Sequence, residues 1–166
     1  MEKQIIIVDQ EDQPIEHKTR DQIVSGKDIY RVSVLWITNK QGEVLLSQRS
    51  LTDSRDPGKW HPAVAGTVEK GETYLTNILK KAREELGLDN IDPAIGPKIE
   101  IKGKHHFFAQ IFTWQTEKLA QEFAINREEI NEVAWLDRLK LIDNLQMEPN
   151  KYVKALPRIV DCLTDF

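Results

Sequence analysis

The chain has 166 residues, 40% of them hydrophobic and 30% charged, with a formal net charge of -4. Those figures suit one soluble domain with a proper core, and they give no support for a basic surface that binds nucleic acid or an anionic membrane. Its one cysteine, Cys162, excludes an internal disulfide and a multi-cysteine zinc site, and no apolar run approaches the roughly 18 residues of a membrane span.

The first apolar run, Ile5 to Val8, is broken at once by Asp9, so no signal peptide is visible and the expected location is cytoplasmic. Residues 4–8 and 14–18 are predicted strands around a polar turn, an N-terminal hairpin extension filling 1–28. A core of 30–145 and a helical tail of 146–166 complete one domain. Residues 30–38 alternate, with Val32, Val34 and Trp36 on one face. A Gly-containing turn follows, and Val44 to Arg49 predicts the second strand of a hairpin. Residues 50–61 are loop, punctuated by Pro57-Gly58, and 62–68 predict a short strand of small residues. Leu75, Ile78, Leu79, Ala82 and Leu86 recur at helical spacing over 73–86, and Gly87 supplies a stop. Strands are expected at 98–102, 106–114 and 132–136, and helices at 137–144 and 150–163. Strands and helices do not alternate strictly, which favours a mixed sheet with helices packed on it. Trp36, Trp114 and Trp135 read as core, and Cys162 as a buried thiol.

The chemistry concentrates in GTVEKGETYLTNILKKAREELGL, residues 66–88. Lys81, Glu84 and Glu85 share one helical face. Charge runs are ordinarily solvated, ion-paired surface. Here the acids stand in the last turn, where the helix dipole opposes them, and each lysine precedes its acid, the poorer order; each effect costs about a few tenths of a kcal/mol. Local stability therefore does not explain the pair, whereas a divalent cation would, since carboxylates are the hard oxygen ligands Mg²⁺ prefers. Gly66 and Gly71 let backbone carbonyls approach such an ion, and Glu69 and Glu72 add carboxylates.

Gly66, Glu72 six residues on, a basic residue at 80, and Glu84-Glu85-x-Gly87-Leu88 together resemble the Nudix box. The surrounding order also resembles that family: Leu45-Leu46-x-Gln48-Arg49, then Pro57-Gly58-Lys59-Trp60, then the box, then Glu129-x-x-Glu132-x-x-Trp135-Leu136. The N-terminal hairpin is similar to that of the subgroup related to isopentenyl-diphosphate isomerase. The resemblance implies an α/β fold, an α/β/α sandwich around a mixed sheet with the box as loop–helix–loop. It implies Mg²⁺- or Mn²⁺-dependent hydrolysis of a diphosphate linked to another moiety, often a nucleoside. By the same resemblance, Glu84, Glu85, Glu72 and the Ala65 carbonyl are metal ligands, and Glu129, with Glu132 second, is the distal acid. Arg49, Lys59 and Arg55 are expected to hold phosphates and Trp60 to stack on a base. Many relatives are homodimers.

Two positions depart from the pattern. Lys80-Lys81 stand where the family has Arg-Glu. Lys80 lacks the guanidinium fork, and Lys81 reverses a charge, so that the acids and bases of the box cancel. The outcomes are a single metal with Lys81 contacting phosphate, slow catalysis, or a domain that only binds, with Lys81 neutralising the acids. The isomerase reading is weak, because Ala65 stands where isomerases carry a cysteine. Of the histidines, His105-His106 are adjacent on a strand and face opposite ways, so at most one can serve a given site. His61 is expected to make a structural hydrogen bond.

Overall fold

The computed structural model describes residues 2–163. Nine strands form one mixed sheet: β1 (Ile5–Val8), β2 (Pro14–Lys18), β3 (Ile29–Thr38), β4 (Glu43–Arg49), β5 (Trp60–Pro62), β6 (Val64–Thr67), β7 (Ala94–Ile101), β8 (His106–Gln115) and β9 (Ile130–Asp137). Three helices cover it: α1 (Tyr74–Leu86), α2 (Arg138–Met147) and α3 (Leu156–Cys162). The tail beyond 163 lies outside the described residues. The tail expected as one helix from 150 begins instead as a 3₁₀ turn at Pro149–Lys151, and α3 starts only at Leu156, with Pro157 in its first turn.

β3 explains the layering. Val34 and Trp36 pack on one face with Leu141, Leu156, Ile159 and Val160 of α2 and α3. Leu35 and Ile37 pack on the other with Ile78, Ala82 and Leu86 of α1. A strand covered on both faces must be apolar at consecutive positions, and this one is. The result is the expected α/β/α sandwich.

The expected hairpin of β3 with β4 is present at its Gly42 turn and opens beyond it. The two strands meet only at Thr38 and Val44. β3 is instead parallel to β8 along its whole length and antiparallel to β6 over Val32–Leu35. β4 pairs with β9 and β5. The sheet therefore splays between β3 and β4, because small-residue β6 takes the edge of β3 that the hairpin would have used. The strand expected over 62–68 is two strands, β5 and β6, which pair with β4 and β3 respectively. Trp60, expected in a loop, lies on β5, half-buried against the core cluster of α2 and α3.

The N-terminal hairpin joins the sheet through Ile7 opposite Tyr30. Its turn residue Asp12 is buried, and its carboxylate accepts from Arg31 Nε at 2.7 Å, Lys98 Nζ at 2.6 Å and the Tyr74 hydroxyl at 2.9 Å. Burial pushes this carboxyl up, but the hydrogen bonds from Lys98, Arg31 and Tyr74 outweigh it and hold it below its usual range. The hairpin is thereby pinned to the first turn of α1.

α1 is capped at both ends. The Thr73 side chain accepts the Thr76 N–H at 3.1 Å, and Thr76 Oγ1 accepts the Thr73 N–H at 2.9 Å. Gly87 sits at φ 66° and its N–H returns to the Ala82 and Arg83 carbonyls. Ile78, Ala82 and Leu86 form the buried stripe, whereas Leu75 is 44% exposed and lies off it. A methyl group on Gly87 would meet the Ala124 side chain at 2.7 Å, while one on Gly42, also at positive φ, would meet nothing. Gly87→Ala is therefore expected to destabilise by about 1–3 kcal/mol more than Gly42→Ala, because it adds overpacking to the same backbone strain. Urea unfolding of both variants measures this; equal losses would refute the close approach.

Candidate functional site

The site forms where α1 crosses β6. Gly66 allows the crossing: a Cβ there would lie 2.7 Å from Lys81 Cγ and 2.8 Å from Asn77 Oδ1. Asn77, fully buried, donates from Nδ2 to the Thr67 carbonyl at 3.0 Å and to Glu72 Oε2 at 2.8 Å. Its Oδ1 has no hydrogen-bond partner and rests against the Gly66 backbone. Glu72 Oε2 also accepts the Glu69 N–H at 2.9 Å, and Lys80 Nζ pairs with Glu72 Oε1. Burial raises the Glu72 carboxyl, but Lys80, the Glu69 amide and Asn77 bring it below its usual range. Glu72 thus braces the box turn with both oxygens engaged. Lys80 reaches Glu69 as well, at 3.6 Å. The first box lysine is therefore a clasp across the turn.

Lys81 does something different. Its stem lies over Gly66, its side chain is 13% exposed, and its ammonium is 3.8 Å from Glu84 Oε2. The two acids diverge. Glu84 is at the rim with 48% side-chain exposure, while Glu85 is buried at 6%. Burial first, and then the hydrogen bond and charge of Glu129, push the Glu85 carboxyl up to about 8. The ammonium of Lys81 opposes that rise and is outweighed.

Glu129 reaches this place through backbone contacts that no sequence motif encodes. Asn126 N–H donates to the Glu85 carbonyl at 2.9 Å, and Glu129 N–H donates to the Asn126 carbonyl at 3.1 Å. The Glu129 carbonyl in turn accepts the Ser50 N–H at 3.0 Å. The segment before β9 is thus tied both to the end of α1 and to the 50–59 loop. Gly87 makes room for it at Ala124. Glu132, the second distal acid, lies on β9 opposite Gln48.

The site residues form a limited donor set. Val68 N–H donates to the Arg31 carbonyl at 2.9 Å, and Val34 opposes Ala65 three pairs along the ladder. The alternation of antiparallel pairs therefore turns the Ala65 carbonyl away from β3. Glu84 and the Glu85–Glu129 pair are the carboxylates at the helix end. No three His, Cys, Asp or Glu side chains among the described residues converge as a metal cluster. A buried carboxyl held against a second carboxylate is nonetheless a donor set that gains from a cation.

The expected phosphate and base contacts are placed differently. Arg49 donates to Asp53 Oδ2 at 2.7 Å and to the Arg55 carbonyl at 2.9 Å, and Lys59 pairs with Asp56 at 3.5 Å. Both cations are engaged in shaping the 50–59 loop. His61 is buried on β5; burial, reinforced by the Arg49 charge, outweighs a backbone hydrogen bond at Pro62 and lowers its pKa to about 4, so it is a neutral core imidazole. His106 Nε2 contacts Glu100 at 2.7 Å, away from the box. Arg20, which the sequence did not single out, donates to Thr67 Oγ1 at 2.9 Å and stands beside the box strand.

A family model, NUDIX domain, matches residues 28–158. A prenyl-diphosphate phosphatase of Methanosarcina mazei is 30% identical over 153 residues, which are 90% of this chain and 88% of that protein. An isopentenyl-diphosphate Delta-isomerase of Klebsiella pneumoniae is 23% identical over 150 residues, 87% of this chain and 82% of that protein. In three dimensions, a protein of Deinococcus radiodurans superposes with a TM-score of 0.82 at 21% identity, covering 96% of this chain and 98% of that one. Family match, box helix and sandwich fold coincide on the same residues, and the chain belongs to the Nudix family of diphosphate hydrolases and their isomerase relatives.

Proposed function

We propose that the chain hydrolyses a diphosphate linkage in a small molecule, using one Mg²⁺ or Mn²⁺ ion. The observation that carries this is the buried carboxyl of Glu85 at the end of the box helix, facing the exposed Glu129, with Glu84 at its rim. Glu84, Glu85 and the Ala65 carbonyl would hold the ion. Glu72, already engaged by Lys80, supports them by fixing the turn. Such an ion, when bound, neutralises phosphate oxygens and makes a water acidic enough to attack at neutral pH. Glu129 is the more exposed acid of its pair and takes the proton of the attacking water. Lys81 meets the phosphate as a point charge from the Gly66 side.

A nucleoside diphosphate derivative is the first substrate class to test. A prenyl diphosphate is the second, favoured by the Methanosarcina relative's activity on such compounds. The isomerase reading lacks its thiol: Ala65 stands beside the box glycine, and Cys162 lies on α3 with its Sγ against the Ile159 carbonyl. A binding domain without turnover is the alternative that Lys81 favours. Phosphate release from both substrate classes with Mg²⁺ or Mn²⁺ separates these readings; no turnover of any diphosphate would leave binding alone.

Glu129→Gln is expected to lower kcat by roughly 10²–10⁴-fold, as loss of a positioned general base does, with an unchanged circular dichroism spectrum. Wild-type turnover in this variant would place the base elsewhere.

The Glu85 pKa predicts a pH dependence of stability. The unfolded carboxyl ionises near its model value of 4.5, while the folded one keeps its proton until about 8. Stability is therefore full below the lower value and is lost as pH rises through this window. Glu85→Gln should be more stable than wild type at pH 8, by on the order of a few kcal/mol, and nearly equal to it at pH 4.5. Mg²⁺ should raise the wild-type Tm at pH 8 and leave that of Glu85→Gln unmoved. Parallel stability profiles, or equal Mg²⁺ effects, would defeat the assignment.

A further inference from the structure

The box turn, residues 68–73, joins the two elements that carry the expected ion ligands: the Ala65 carbonyl on β6, and Glu84 and Glu85 on α1. A glycine loosens this turn. Gly71 stands at φ 86° with nothing within 4 Å of where a Cβ would lie, so the backbone can pivot there. The turn is held from two sides instead. α1 holds one side through Asn77 and Lys80. The N-terminal hairpin holds the other. Lys70 N–H donates to the Gln4 carbonyl at 2.7 Å, and Ile6 N–H donates to the Val68 carbonyl at 3.4 Å. The Val68 side chain is fully buried in a cluster with Ile6 and Val8 of β1 and Ile29 of β3.

Asp12 locks the hairpin in that place. Its carboxylate accepts from three elements at once: Arg31 of β3, Lys98 of β7 and Tyr74, the first residue of α1. The Arg31 guanidinium also donates to the Asp12 carbonyl at 2.6 Å, while the Arg31 carbonyl accepts the Val68 N–H at 2.9 Å. One residue thus ties Asp12 by its side chain and the box turn by its backbone. The Tyr74 ring has the Arg31 guanidinium 5.2 Å and the Lys98 ammonium 5.1 Å from its centroid, and it packs against the Ile6, Val8 and Val68 cluster. The Tyr74 carbonyl accepts the buried Ser33 hydroxyl at 2.8 Å. The start of α1 is therefore set by the tip of the hairpin.

This hairpin lies outside residues 28–158, the span of the family match. We propose that it is a clamp on the box turn, and that Asp12 is the positioning residue that closes the clamp and so sets the divalent-ion affinity of a site it does not touch. The effect on an ion rests on the hydrolase reading, whereas the hold on the turn does not. Ligands divided between a strand and a helix bind an ion well only while the two elements keep their spacing. Groups that orient metal ligands from behind are worth roughly 10–100-fold in affinity.

Hydrogen exchange of the metal-free chain in EDTA reads the clamp, and calorimetric titration with Mn²⁺ reads its effect on the site. Asp12→Asn removes the charge and keeps a residue that tolerates the backbone at φ 60°. Tyr74→Phe keeps the ring and removes the hydroxyl that reaches Asp12. In both variants the Ile6 and Lys70 amides should exchange roughly tenfold faster, and Mn²⁺ should bind roughly tenfold more weakly. In Mn²⁺-activated turnover the half-saturating metal concentration should rise by the same factor, with kcat at saturating metal unchanged. Leu145→Ala, in the α2 layer on the other face of the sheet, lowers stability through packing alone and should move none of these readings. Unchanged exchange in both variants, faster exchange with unchanged Mn²⁺ affinity, an equal loss in Leu145→Ala, or no Mn²⁺ binding by the wild-type chain would overturn the proposal. Failure of the hydrolase reading would look different: exchange and Mn²⁺ affinity respond as expected, with no phosphate released from any diphosphate.

Discussion

The close crossing of α1 over β6 at Gly66 governs the arrangement of the site. No side chain larger than hydrogen fits between the strand and Lys81 and Asn77. That contact lets one amide, Asn77, hold both the Thr67 carbonyl and the Glu72 carboxylate. It also lays the Lys81 stem along the strand, so that its charge arrives at the acids from the β6 side. With a longer separation, the turn, the lysine and the helix end would be three independent surfaces.

At the other end of the helix, Gly87 plays a matching part. Its left-handed backbone stops α1 and admits Ala124. The incoming segment bonds to the Glu85 carbonyl through Asn126, which satisfies one of the carbonyls a helix leaves open at its C-terminus. The same segment delivers Glu129. A buried carboxyl facing another carboxylate at the unfavourable end of a helix dipole is costly in the free protein. A cost of that kind is the pattern expected of a functional site.

Several positive charges are spent on shaping the fold. Lys80, Arg49 and Lys59 are consumed by Glu72, Asp53 and Asp56 and give the box turn and the 50–59 loop their shape. Arg31 and Lys98 are likewise consumed by Asp12, which fastens the N-terminal hairpin to the start of α1. Lys81 is shared with a half-exposed acid.

Much of this was legible in the sequence, because its signals were local. Helical spacing, the Gly87 stop and the acids at 84 and 85 depend on neighbours within a turn or two, and periodicity reports them directly. The sandwich followed from the order of elements and from the box resemblance. What the sequence could not fix were pairings between distant segments. The β3–β4 turn reads as a hairpin, yet β3 pairs with β6 and β8, since strand partners are chosen by which apolar faces can be buried together. Glu84 and Glu85 are adjacent and chemically identical, and only packing makes one a rim carboxylate and the other a buried acid. Arg20 carried no motif at all; it reaches the box strand at Thr67 only because the fold brings these distant residues together. Composition and spacing thus determined which chemistry the chain holds, while tertiary structure decided which charges meet, because burial and charge proximity belong to the folded chain and to no short stretch of it.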